Sequence, residues 1–343
     1  MGLNKIITEA ESVLAENQDK WSPLWGRWAD ELLDSEDNIK AAKTNFRERP
    51  PLRIYMPIGE AKKSKKKCRF ALRYFGKDVA EIETLFDGKT PPYLSFDDTK
   101  ETHRRSNRKS FGMQMQEKSF KAPWDSKPSA EFRKFFKEMQ RPDADEHMLE
   151  SMVLDEMGKN TSDKFEGTLR YIQPVKLFGE VRFQMKIPFS ANQGIPNYST
   201  NGGGIDILAR IGRSKDTNLA VLELKKEAKK AYKKAIAQSI IYSIGVIFLL
   251  RDKSNGSKWW KLFGFKRDLP KAITVGAVPT IPFSIREEFE KEKDFLGVQD
   301  GSLIKMGQDQ IKIGHIFFEQ TENNRIEIKD VGGIDNIVFN PKN

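Results

Sequence analysis

The sequence predicts an α/β (α+β) protein: an αβββαβ core with a mixed central sheet over residues 129–343, preceded by a smaller, basic α+β N-terminal domain over residues 1–128. Three observations carry that reading. Short runs at 205–211 and 219–225 are rich in Ile, Val and Leu, and 181–189 alternates apolar residues, all with the length and composition of strands. Helical periodicity brackets them, at 146–157 and from Lys226 to about Ser243. A stretch with two prolines, KAPWDSKPS at 121–129, reads as a linker between this half and a different pattern upstream. The length of 343 residues suits two domains, or one core with large additions, and 38% hydrophobic residues suffice for a folded interior.

At the N-terminus, Leu3, Ile6, Ile7, Ala10, Val13 and Leu14 share one face of an amphipathic helix over 3–17. Ser22 and Pro23 read as the cap and first turn of a second helix running to Leu33. On it Trp21, Trp25 and Trp28 follow helical spacing, as packing anchors rather than a base-stacking platform. Residues 52–58, 69–75, 79–86 and 111–116 read as β segments between charged or Pro/Gly turns. The stretch 61–77 holds Lys62, Lys63, Lys65, Lys66, Lys67, Arg69, Arg73 and Lys77 with no acidic residue, and Arg104, Arg105, Arg108 and Lys109 form a second cluster. Such runs are either solvated loops or phosphate contacts, the latter salt-sensitive rather than sequence-reading.

Past the linker, Ser129 reads as the cap of a helix over 130–140, which Arg141-Pro142 ends. Asp145 reads as the cap of the next, 146–157, whose Met148, Leu149, Met152 and Val153 form an apolar stripe with Glu150 beside it. Val181, Phe183, Met185 and Ile187 alternate along 181–189, a half-buried strand expected to pair with 205–211 across the loop SANQGIPNYSTNGGG. That loop is structural slack or a substrate-facing flap. Further on, 245–250 and 272–278 read as strands, 283–296 as an acidic helix, and 311–318 with 325–329 as a closing hairpin turning at Asn323-Asn324.

The chemistry concentrates in residues 202–242, GGGIDILARIGRSKDTNLAVLELKKEAKKAYKKAIAQSIIY. A polar turn, GRSKDTN, joins two strands as a hairpin, and strand alternation puts Glu223 and Lys225 on one side. Antiparallel pairing would bring Asp206, which follows three glycines that permit a sharp turn, within reach of the same ion as Glu223. Two converging carboxylates repel, and a hard divalent cation with oxygen ligands relieves that repulsion. A lysine beside them can orient or help deprotonate a water, or balance charge growing on a phosphate. Gln238 and Tyr242, four apart, share a face of the following helix. Lys226, Lys230 and Lys234 recur every four residues, as do Lys225, Lys229 and Lys233. This basic band is a solvated face, a docking face for an acidic protein or membrane surface, or, as favoured here, a track for a nucleic-acid backbone.

In that order and spacing, Gly-Gly-Ile-Asp, a short turn, apolar-Glu-Leu-Lys and a helix with Gln-x-x-x-Tyr, the chain resembles the PD-(D/E)XK nuclease superfamily, particularly its branch with a Gln-x-x-x-Tyr motif after the lysine. The resemblance covers 145–278, with Ile205 standing where the family pattern often has proline. It implies a restriction-endonuclease-like core and a metal-dependent phosphodiesterase. Asp206 and Glu223 would hold Mg²⁺ or Mn²⁺ with the carbonyl of Leu224, and Glu150 would add a ligand from the preceding helix, a role for which Glu146 and Glu156 compete. Lys225 would position the attacking water and stabilise the phosphorane-like charge. Gln238 would orient Lys225, the water or a phosphate, and Tyr242 would support that helix face. The implied substrate is nucleic acid, DNA ahead of RNA, cut by an endonuclease of prokaryotic phage defence or restriction. Cutting a duplex normally takes two sites, which a homo-oligomer such as a dimer would supply. Lys226, Lys229, Lys230, Lys233, Lys65, Lys66, Lys67, Arg104 and Arg105 are the candidate backbone contacts. The alternative is a catalytically inactive nucleic-acid-binding protein on the same fold.

Composition narrows the remainder. A formal net charge of +10 fits a polyanionic partner. Cys68, the only cysteine, excludes an intrachain disulfide and a Cys-based zinc site, and the scattered His103, His147 and His315 argue against a His-rich one. MGLNKIITEAESV lacks the apolar core of a signal peptide, and Ile6 breaks the loose myristoylation match that Gly2 opens. The most apolar run, 235–250, contains Gln238, Ser239 and Ser243 and is too short and polar to span a bilayer, so a cytoplasmic protein with no membrane partner is expected. Neither G-x-x-x-x-G-K-[ST] nor G-x-G-x-x-G occurs.

Overall fold

The structure, a computed structural model, describes residues 2–44, 48–49, 51–59, 67–85, 90–97, 119–139, 146–159, 169, 171–191, 194–212, 218–226, 231–321 and 325–334. Three helices open the chain, α1 (Leu3–Glu16), α2 (Gln18–Leu33) and α3 (Glu36–Thr44). The first buries Ile6, Ala10 and Leu14, one helical stripe. The second starts before the Ser22-Pro23 signal and carries Pro23 inside it. Burial of Trp21, Trp25 and Trp28 outweighs the backbone bond that the proline forfeits. The Trp25 indole N–H donates to the Lys186 carbonyl at 2.9 Å, so these rings are packing anchors.

A meander follows: β1 (Leu52–Met56), β2 (Lys67–Tyr74), β3 (Lys77–Leu85), β4 (Tyr93–Asp97) and β5 (Ser119–Pro123), each antiparallel to the one before. The expected strand at 111–116 lies outside the described residues. Residues 119–123, read above as the start of a linker, are instead an edge strand, because every second side chain there covers part of the sheet face. Helix α4 (Lys127–Glu138) is capped by Ser126, three residues ahead of the expected Ser129, and has its proline in the first turn, where no N–H is needed. Helix α5 (Glu146–Lys159) comes next.

Seven short strands then precede the long helix: β6 (Ile172–Pro174), β7 (Lys176–Leu177), β8 (Val181–Phe183), β9 (Lys186–Ser190), β10 (Asn197–Gly204), β11 (Ile207–Ile211) and β12 (Asn218–Leu224). The chain closes with α6 (Ala231–Arg251), α7 (Gly256–Leu262), β13 (Thr274–Pro282), α8 (Arg286–Leu296), β14 (Leu303–Met306), β15 (Asp309–Ile313), β16 (His315–Gln320) and β17 (Ile326–Gly332).

The strands form two large sheets and a hairpin. The first runs β5-β4-β3-β2-β1-β8-β7, so strands from beyond α5 complete it, β8 lying parallel to β1. The second runs β14-β15-β13-β12-β11-β6, and β16 joins β13 with β17 beside it. Its pairings are antiparallel from β6 to β12 and parallel between β12 and β13, a mixed sheet. The order α5, β6, β11, β12, α6, β13 is αβββαβ, with β7 to β10 inserted after its first strand.

Three expectations change. Residues 181–189 do not pair with 205–211: they divide into β8, in the first sheet, and β9, in a hairpin with β10, while β11 pairs with β6. The loop expected at 190–204 is therefore mostly the second strand of that hairpin. Residues 245–250, expected as a strand, continue α6 to Arg251; nearly all of the run from Ala235 is buried, so no period distinguished helix from strand. Among the described residues α6 is the helix long and apolar enough to cross a membrane, and 83% of that stretch is buried inside the protein, as in a core helix.

Candidate functional site

The antiparallel register of β11 and β12 ends with Ile207 opposite Leu222, so the next step places Asp206 opposite Glu223. The two are laced together. The Leu224 N–H donates to Asp206 Oδ2 at 2.8 Å, and the Asp206 N–H donates to the Glu223 carboxylate. Glu223 is the penultimate residue of a strand buried on both faces and is 2% exposed. Its Oε1 has no hydrogen-bond partner among the described residues. Burial first, and then the Asp206 charge, push its pKa well above the ordinary carboxylate value. Burial raises Asp206 too, against the opposing pull of Lys225 and the Leu224 N–H.

Lys225 leaves the end of β12 with its N–H on the Thr280 carbonyl of β13 at 3.1 Å. Its ammonium donates to the Leu224 carbonyl at 2.8 Å and lies 3.6 Å from Glu146 Oε2. The lysine is 8% exposed, whereas the Glu146 side chain is 54% exposed, so Glu146 marks the open side of the cluster. From the same helix α5, Glu150 is 3% exposed and its pKa rises to about 8, because burial, with the Asp206 charge, overcomes the attraction of Arg73 and a hydrogen bond from Tyr55. Glu156, six residues beyond Glu150 on that helix, is only half-buried.

Helix α6 supplies the back wall. Gln238 and Tyr242 are both buried and hydrogen-bonded to each other, while Gln238 Oε1 has no partner among the described residues. The Tyr242 hydroxyl also accepts the Ala191 N–H at 3.3 Å, and burial, with the Glu223 charge, pushes its pKa up to about 12. Gly203 is required here: a Cβ on it would sit 2.9 Å from that hydroxyl and 2.5 Å from the Phe189 carbonyl. The structure thus brings Asp206, Glu223, the Leu224 carbonyl, Lys225, Glu150, Gln238 and Tyr242 to one place.

Sequence reasoning did not foresee Tyr55 and Arg73, which reach the cluster from the first sheet. Arg73 is buried, bonds Asp78 at 2.7 Å and lies over the Tyr55 ring at 4.4 Å. A basic residue inside a strand whose neighbours are all buried was the available signal.

The basic candidates fare differently. Lys226 lies just past the end of β12 with no regular secondary structure of its own, and Lys234 lies on α6. Lys233 pairs with Glu292 of α8 at 2.9 Å, and Lys67 with Glu83 at 2.9 Å. Lys65, Lys66, Arg104, Arg105, Lys229 and Lys230 lie outside the described residues.

A second group has metal-ligand composition: Glu290, Asp300 and His315, whose ligand-type atoms lie within 4.8 Å of one another and could hold a metal ion. The Lys293 ammonium already lies 2.8 Å from both Glu290 and Asp300. His315 contacts Asp300 at 3.0 Å and Asp330 at 3.5 Å. Burial alone would raise Asp300, but His315 and Lys293 hold it below the usual carboxylate range. An ammonium in the middle supplies the positive charge that a cation would bring, which makes this foremost a structural ion cluster. Comparison with protein-family models, with curated proteins and with solved structures yields no match to this chain.

Proposed function

We propose that the chain is a metal-dependent nuclease that hydrolyses phosphodiester bonds of nucleic acid, a DNA endonuclease of prokaryotic phage defence or restriction working in the cytoplasm. The observation that carries this is the laced pair of half-buried Asp206 and buried Glu223 with the Lys225 ammonium at the intervening Leu224 carbonyl. The donor set is all oxygen, from Asp206, Glu223, Glu150 and the Leu224 carbonyl, which suits Mg²⁺ or Mn²⁺. The unpartnered, buried Glu223 Oε1 fits a ligand atom of such an ion. When bound, the ion supplies Lewis-acid stabilisation of the phosphoryl oxygens and eases ionisation of a water.

The chain's own groups do the rest. Asp206 and Glu223 would hold the ion, with the Leu224 carbonyl and Glu150 as the further oxygen donors. Lys225, fixed at both its N–H and its ammonium, places the attacking water and balances the negative charge that grows on the phosphate. Gln238 gives its amide to Tyr242 and keeps Oε1 for the water or for Lys225. Glu146, at the exposed side next to the lysine, is placed to accept a proton.

Asp206→Asn and Lys225→Ala are compared with wild type on plasmid and linear DNA, with Mg²⁺, Mn²⁺ and EDTA arms. Cleavage is expected to fall by roughly a hundredfold or more in each variant. Undiminished cleavage in either sinks the assignment. Metal-independent binding by wild type with no cleavage favours the inactive nucleic-acid-binding reading instead.

A further inference from the structure

The elements that meet at Lys225 also border a groove of about 330 Å³, a size within the roughly 300–1,000 Å³ typical of small-ligand sites. It begins where the site ends: Lys226 follows Lys225, and Leu149 precedes Glu150. Its floor is apolar, with Leu149 1% and Phe318 2% exposed. One wall is Phe283, a large aromatic side chain left 39% exposed. The ring is held rather than loose, edge-on to Phe317 at 6.1 Å between centroids and with the Arg286 guanidinium 5.6 Å away. The rim is polar. Lys226 and Gln320 stand there exposed, and Glu319 carries its negative charge beside Lys329 at 2.8 Å.

We propose that this groove is a nucleoside subsite in which one base of the substrate strand stacks on Phe283 while Lys226 engages an adjoining phosphate. The inference rests on the nuclease reading and adds a substrate class to it. A flat aromatic wall over an apolar floor matches the face of a base, and the amide rim matches its polar edge. A peptide side chain would use the floor but has no use for the ammonium next to the catalytic lysine. Stacking of this kind is tolerant of sequence, because every base has a π-face. Inside a duplex both faces of a base are already covered, so the subsite selects a strand that is single or locally unpaired.

The test uses the full chain in EDTA, so that nothing is cut, and a short single-stranded oligonucleotide carrying 2-aminopurine, whose fluorescence is quenched by stacking. Wild type is expected to quench it, Phe283→Ala to abolish the quench and weaken binding roughly tenfold, and Phe283→Trp to restore both. With Mg²⁺, Phe283→Ala should raise KM for the oligonucleotide and leave kcat close to wild type. Thermal melts of both variants confirm that they fold. Unchanged quenching and affinity in Phe283→Ala, in a protein whose wild type cleaves DNA, overturn the subsite and leave the nuclease reading standing. Failure of Phe283→Trp to restore what Phe283→Ala loses also overturns it. Phe283-dependent quenching in a protein that cleaves nothing supports the subsite and removes the nuclease reading.

Discussion

Glu150 weakens the fold that contains it. Its pKa of about 8 means that the folded chain keeps it neutral at pH values where the unfolded chain ionises it. A carboxyl raised in this way has no penalty below about pH 4.5; the penalty grows as pH rises and levels off above about pH 8. Glu150→Gln, neutral at every pH and still able to accept the Tyr55 hydroxyl, should therefore be more stable than wild type in EDTA. The gain should be small near pH 5 and reach roughly 4–5 kcal/mol near pH 8.5, read from urea melts. Equal stability of the two proteins at pH 8.5 would mean that the carboxyl is not buried as described. Asp206, Glu223 and Lys225 were legible in the sequence because strand alternation and a hairpin turn are local rules. Tyr55 and Arg73 were not, since they reach the same point from another sheet through pairings that no local pattern encodes.

At the level of elements, α6 decides how close the hairpin of β9 and β10 can come. Gly245 lies where a Cβ would meet Ile187 Cγ2 at 2.4 Å and Phe189 Cζ at 3.1 Å. Replacing Gly with Ala in a helix is ordinarily worth up to about 1 kcal/mol of stability. Overpacking a full core costs about 1–3 kcal/mol, so the clash wins. Gly245→Ala should lower stability by roughly 1–2 kcal/mol, and Ile187→Ala, which removes the Cγ2 methyl that the new Cβ would meet, should couple to it, the double variant losing less stability than the two single losses added together. A melt showing Gly245→Ala as stabilising would refute this close packing. The helix itself shows why its end was misread. The residues from Ala235 onward are buried on almost every side, and an apolar run without a polar face has the signature of a buried strand. Where one face was polar, as in α1, the periodicity was readable.

For the whole molecule, the joining of its two halves matters most. Strand β1 is an edge until β8 pairs with it, Tyr55 opposite Arg182. The same junction is tied by Glu48, which accepts Arg182 at 2.6 Å and the Ile54 N–H at 2.8 Å. A fragment ending at residue 128 would lack β7, β8 and the Arg182 partner of Glu48, and would present an unpaired strand edge to other copies. It should aggregate or melt without cooperativity, as judged by size exclusion and near-UV circular dichroism; a soluble monomer with a sharp transition would contradict this. There is a consequence for synthesis. On the ribosome β1 must wait for β8, and Lys225 for Thr280 of β13, before either finds its native partner. The cluster of Asp206, Glu223 and Lys225 therefore cannot assemble until most of the chain has emerged, and a ribosome-bound fragment that stops short of β13 lacks it.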